Sequence, residues 1–179
     1  YGALSDSVKQ MSTEVATSAS NIAEVMANAG QLGVQNDYLV DFTRTMIDLG
    51  NSTDIVANEA ASTLAKFANI TNMDQSLFGN LGATLVDLGN KFATTESSIM
   101  DMSLRLAAAG HQVGLSEAQI LGFAAALSSV GIEAEMGGSA FSKALVKMEV
   151  AAATGGEALE DFARVSGLTA EGFKLLFES

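Results

Sequence analysis

Apolar side chains return at steps of three and four through the opening stretch: Val8, Met11, Val15, Ile22, Val25 and Ala29, with Ser18 the one polar member of the series. This heptad seam predicts a single long helix over about residues 5–29, either core-facing or coiled-coil. Ser5 and Asp6 are its N-cap candidates, and Gly30 and Gly33 its terminators. The pattern then shortens. Helices are predicted over about 37–49, stopped by Gly50, and over about 54–69, with Ile55, Leu64 and Phe67 as packing positions. Asp74 caps a further helix whose Leu77, Phe78, Leu81, Leu85, Leu88 and Phe92 line one side.

Downstream, a helix runs from Glu96 to about Ala109 and ends at Gly110. Another runs from Ser116 to about Val130 and ends at Gly131. Gly137 and Gly138 flank a new start that leads into Phe141, Leu145 and Met148, and Gly155 and Gly156 break the chain again. Leu159, Phe162 and Val165 mark a short amphipathic helix, and Gly167-Leu168-Thr169 opens a last one through Phe173 and Leu176. No segment alternates as a strand would. The expected fold is all-α, with eight or nine helices: a long N-terminal helix over 1–35, then a compact helical domain over 36–179. That domain is either a multi-helix bundle or an array of helical hairpins made of short, Gly-punctuated helices.

A short internal echo bears on that choice. Ile47-Asp48-Leu49-Gly50-Asn51 returns 39 residues later as Val86-Asp87-Leu88-Gly89-Asn90, and Ser129-Val130-Gly131 echoes it again. Gly114-Leu115-Ser116-Glu117 is matched by Gly167-Leu168-Thr169-Ala170. A period near 40 residues suits stacked hairpins, while helix ends in general share the same grammar.

Composition sharpens the helical reading. The 179 residues include no Pro and 17 Gly, as expected where glycine, not proline, ends each helix. The chain opens on Tyr1 and closes on Ser179 within a helical run, so a piece of a longer protein is expected. There is no Cys, hence no thiolate metal site. The net charge of −12 argues against direct nucleic-acid binding, which draws on a basic face. Apolar runs such as Phe123–Leu127 are far short of a membrane span, so membrane contact is expected only through other parts of a parent chain.

Candidate chemistry is sparse. His111, the one histidine, sits in Gly110-His111-Gln112-Val113-Gly114 and reads as an exposed turn residue, since zinc needs three or four ligands. Glu133 and Glu135 form a pair of the kind glycosidases use, but read as solvated loop charges. Glu157, Glu160 and Asp161 stand where the helix dipole favours acids. No GxSxG elbow or phosphate loop occurs, and Gly137-Gly138-Ser139 and Gly155-Gly156 fit neither. Met11, Met26, Met46, Met100, Met102 and Met148 read as core filling rather than an adaptable surface. No catalytic, metal or cofactor-binding residue is assigned, and no enzyme is expected.

From Gly114 to Phe177 the order of residues resembles the core region of phage tail tape measure proteins. The matching positions are Leu127, Ser128, Gly131, Ile132, Glu133, Ala134, Gly137, Leu145, Met148, Gly156, Leu159, Phe162, Ala163, Gly167 and Phe173. Upstream, Gly30-Gln31-Leu32-Gly33, Leu88-Gly89-Asn90 with Glu96, and Leu104–Gly110 are similar to the same family, so the resemblance runs from about residue 20. It implies a structural protein of the virion that fills the tail tube, acts in tail assembly and length determination, and takes part in genome ejection. It also implies the tube lumen and, during assembly, the host cytoplasm as locations. The implied partners are further copies of the chain through helix self-association, the tail tube protein and tail assembly chaperones. A generic coiled-coil interaction or scaffold module would need only the first helix and does not predict the ordered match. A muralytic enzyme would need a cleft with coupled carboxylates.

Overall fold

A computed structural model describes residues 2–177; the terminal residues of the two expected segments, 1 and 178–179, lie outside the described residues. The described chain is helical throughout, with ten α-helices: α1 (Gly2–Glu14), α2 (Ala19–Gln31), α3 (Asn36–Ser52), α4 (Ala57–Thr71), α5 (Phe78–Lys91), α6 (Glu96–Gln112), α7 (Glu117–Ser129), α8 (Ser139–Thr154), α9 (Glu157–Ser166) and α10 (Ala170–Lys174). A 3-10 turn, Gln75–Leu77, leads into α5, and a π-helical turn, Ala134–Gly138, leads into α8.

The long N-terminal helix divides. Ser18 was expected to be a seam position. Instead its backbone is extended (φ −67°, ψ 148°) and its hydroxyl accepts the Asn21 amide at 3.3 Å, so it is the N-cap of α2. A serine hydroxyl offers the backbone this alternative to continuing a helix. Ser5 and Asp6 consequently lie inside α1, which starts at Gly2. The seam itself is correctly placed: Met11, Ile22, Val25 and Ala29 are buried. They are buried in the chain's own core, against α3 and α4, and so are not free to zip onto another copy.

The helices form three successive hairpins, α1/α2, α3/α4 and α5/α6, followed by the pair α7 and α8, in which α8 packs chiefly on α6 and meets α7 through Phe141 and Phe123, whose ring centroids lie 5.3 Å apart. The second helices begin at residues 19, 57 and 96, and the turn that opens α8 begins at 134. The even helices α2, α4, α6 and α8 pack in order along one layer, and α1, α3, α5 and α7 along the other. No extensive packing joins hairpins that are not adjacent. This is the hairpin array, in which each unit buries its apolar face on its neighbours.

Each hairpin hands over to the next through the same closure. Gly33, Asn72 and Gly114 adopt left-handed backbone (φ +93°, +53°, +81°). The following amide then donates five residues back: Val34 to Ala29 (3.1 Å), Met73 to Ala68 (2.9 Å) and Leu115 to Gly110 (2.9 Å). This satisfies helix-end carbonyls and turns Val34 and Met73 into the core.

Some glycines act inside helices, not as stops. α3 runs past Gly50 to Ser52, and a Cβ at Gly50 would stand 3.0 Å from the Ala57 Cβ. α6 likewise runs past Gly110 to Gln112, with Ile120 of α7 seated on the Gly110 backbone. Their role is close helix approach. Ile55 lies in the turn before α4 and is buried there, while Leu77 and Phe92, expected in the apolar face of α5, are exposed.

Candidate interaction surface

The hairpins are tied by polar contacts that cross from one to the next. The Asn28 side chain donates to Asn58 at 2.9 Å, and Asn58 donates to Glu24 at 3.1 Å, linking α2 to α4. Asn69 donates to the Leu32 carbonyl at 2.9 Å. Arg44 of α3 pairs with Glu14 of α1, and this guanidinium holds the Glu14 carboxyl below its usual range, with a further hydrogen bond from Gln10. The Asp54 carboxylate takes both the amide (3.1 Å) and the hydroxyl of Ser97 at the start of α6. Burial alone would raise the Asp54 pKa. The hydrogen bonds from Ser97 and Thr95 outweigh it, and the group titrates below its ordinary value. These are structural ties that hold hairpins in register.

The residues weighed for chemistry are not brought together. His111 lies in the last turn of α6, exposed, rather than in a loop. Glu133 and Glu135 are both exposed at the π-helical turn. They border an open cleft of about 400 Å³ with Ser98, Asp101 and Ser128, and Glu135 pairs with Arg105 at 3.6 Å. Glu157, Glu160 and Asp161 sit in the first half of α9, and Asp161 pairs with Arg164. Among the described residues, no group of three or more His, Asp or Glu side chains is placed to hold a metal ion. Nor is any helix among them long and apolar enough to cross a membrane. Met11, Met26, Met46, Met100 and Met102 fill the core, while Met148 is half-buried.

What the sequence did not disclose is a surface at the C-terminal end. α9 was expected to bury Leu159, Phe162 and Val165. Leu159 is buried, Phe162 is half-buried against Phe173 in a parallel stack (5.8 Å, 9°), and Val165 is 85% exposed. Val146, Val150 and Ala151 of α8 face Ala158 and Phe162 of α9 across an apolar groove of about 530 Å³, with Lys147 and Asp161 beside it. The Val146–Val150 spacing in α8 was the available signal, but a stripe of this kind is indistinguishable in sequence from one that is buried.

Residues 5–176 match the model of the family described as "Phage-related minor tail protein". The chain is also similar to a protein named "Probable tape measure protein" from Halomonas phage phiHAP-1, with 26% identity over 142 residues. That match takes in 75% of this chain and 16% of the relative, so the chain spans about a sixth of that protein's length. No solved structure matches.

Proposed function

The chain belongs to the phage-related minor tail protein family, and on that footing we propose that it is the hairpin-array portion of a tail tape measure protein. It acts in tail assembly and length determination and contributes to genome ejection. The observation that carries the reading is the match over nearly the whole chain together with a relative that bears the tape measure name. In this reading the protein is made in the host cytoplasm and comes to lie in the tube lumen, among tail tube protein and assembly chaperone partners. Residues 1–35 and 36–179 then act as one array, not as a rod with a domain attached. Catalysis plays no part, and membrane contact belongs to the rest of the parent protein.

The fold supplies a route from compact domain to ruler. Small side chains such as Ala60, Ala61, Ala107, Ala124 and Ala125 are buried in the core beside the larger Phe42, Phe67 and Leu85. An array held by neighbour contacts is able to open progressively from one end when something else takes up its helices. Opened into continuous helix, it advances about 1.5 Å per residue. In-frame removal of residues 36–179 from the parent gene then shortens tails by about 216 Å at that rise. Normal-length tails of poor infectivity would move the segment's role to ejection.

A further inference from the structure

The described residues pack into two cores. The main core gathers side chains from α1 to α7 and reaches the Phe141 ring at the start of α8. The second holds Ala151, Leu159, Ala163 and Phe173, with Met148, Phe162, Ala170 and Phe177 against them. α8 spans both, its first turn on the main core and its last two turns in the second. α9 packs chiefly on α10 and, less extensively, on α8. The Phe162, Phe173 and Phe177 rings follow one another at 5.8 and 5.6 Å, and the Leu168 amide donates to the Ala163 carbonyl at 2.9 Å. Where α9 leans on α8, an apolar groove of about 530 Å³ remains beside Val146 and Val150, so the seat is only partly filled.

The joint between the cores is Gly155-Gly156, with φ +73° and +81° and ψ −156° and −165°. That region is essentially open to glycine alone. Beyond the chain neighbours, no atom lies within 4 Å of where a Cβ would stand at either position. Each earlier pair of helices is tied to the next by side chains: Asn58 to Glu24, Ser97 to Asp54, and Thr94 to Ser128. Lys174 aside, no side chain of residues 157–177 hydrogen-bonds or ion-pairs with a residue before Gly155.

We propose that α9 and α10 form a strap that releases from α8 as a unit at the Gly155-Gly156 joint, leaving α1–α8 folded, and that the closed strap masks the Met148–Ala151 stripe of α8. Helices of ten and five residues do not hold their hydrogen bonds alone in water, so the strap unfolds as it leaves and refolds as it closes. Such a unit opens below the free energy of global unfolding. The inference rests on the two cores and the joint, and does not depend on the tape measure reading.

Native-state hydrogen exchange on the 179-residue chain tests this. Amides of α9 should be protected relative to a free peptide, yet exchange at least about a hundredfold faster than those of Leu64 and Leu106 in the main core. Gly156→Ala places a side chain in the glycine-only region and should speed α9 about tenfold further. The α4 and α6 amides should not respond, and their protection shows that the variant is folded. Ile99→Val, in the main core, should speed α4 and α6 and leave α9 unchanged. Equal exchange of α9 and α6, or equal responses of both to either substitution, overturns the proposal by making the chain one cooperative unit. So does an α9 that Gly156→Ala fails to accelerate, or one that exchanges at free-peptide rates in the unaltered chain.

Discussion

The Gln75 side chain spans the junction between two hairpins: its Oε1 accepts the Gln35 amide at 2.8 Å, and its Nε2 donates to the Gly33 carbonyl at 3.2 Å. The 3-10 turn ahead of α5 thereby fixes the turn ahead of α3, about forty positions earlier. Replacing Gln75 with Ala removes both bonds and leaves the Gln35 amide to solvent. A loss of about 1 kcal/mol in urea denaturation, with unchanged cooperativity, is expected. An unchanged midpoint would mean that the junction is held by packing alone.

Asp54 makes the array acid-sensitive. Its carboxyl titrates lower in the folded chain than in the unfolded one because the Ser97 and Thr95 hydrogen bonds outweigh the effect of burial. The stabilisation is therefore complete above the unfolded value, about 3.9, and is lost as pH falls through the folded value. Between about pH 5 and pH 2, the wild type should lose more stability than Asp54→Asn. Parallel stability curves for the two would contradict this.

The Gly110–Ile120 contact couples α6 to α7. A Cβ at Gly110 would stand 2.7 Å from Ile120 Cγ1 and 2.9 Å from Cδ1, so Gly110→Ala should cost about 1–3 kcal/mol through overpacking. In an Ile120→Ala background the same change should cost much less. A double-mutant cycle reads the difference as the pair's coupling, and additive losses would show that the approach is not tight.

Ser18 separates the two helices of the first hairpin. Ser18→Ala should destabilise the chain by about 1 kcal/mol through loss of the cap. It should not lengthen α1, because the turn is also fixed by burial of Met11 and Ile22 on either side. Unchanged stability in thermal melts would mean that the hydroxyl contributes nothing there.

The same residue shows where sequence reading fails. Serine fits a seam and a cap equally well, and only the folding back of α2 on α1, with Met11 and Ile22 buried in one core, decides between them. The helix periods were legible because each second helix buries one stripe, as Leu64 and Phe67 do in α4 and Ile99 and Leu106 in α6. The repeat was half-legible. Gly50 and Gly89 preserve it in sequence, but Gly33 and Asn72 share a left-handed role under different residue names. The open groove was not legible at all, since Val150 looks the same in sequence whether a neighbour covers it or not.

The most direct test of the array as an opening ruler removes one hairpin. Deleting residues 35–73 joins Val34 to Asp74, which replaces the Gln35 cap with the Asp74 cap and takes out 39 residues. A hairpin that spans the tail as continuous helix shortens it by about 58 Å at about 1.5 Å per residue. One that stays folded, with helices about 10 Å apart, shortens it by only about that spacing. Tail lengths from electron micrographs should fall uniformly by the larger amount; tails of unchanged length, or shorter by about 10 Å, would contradict the account.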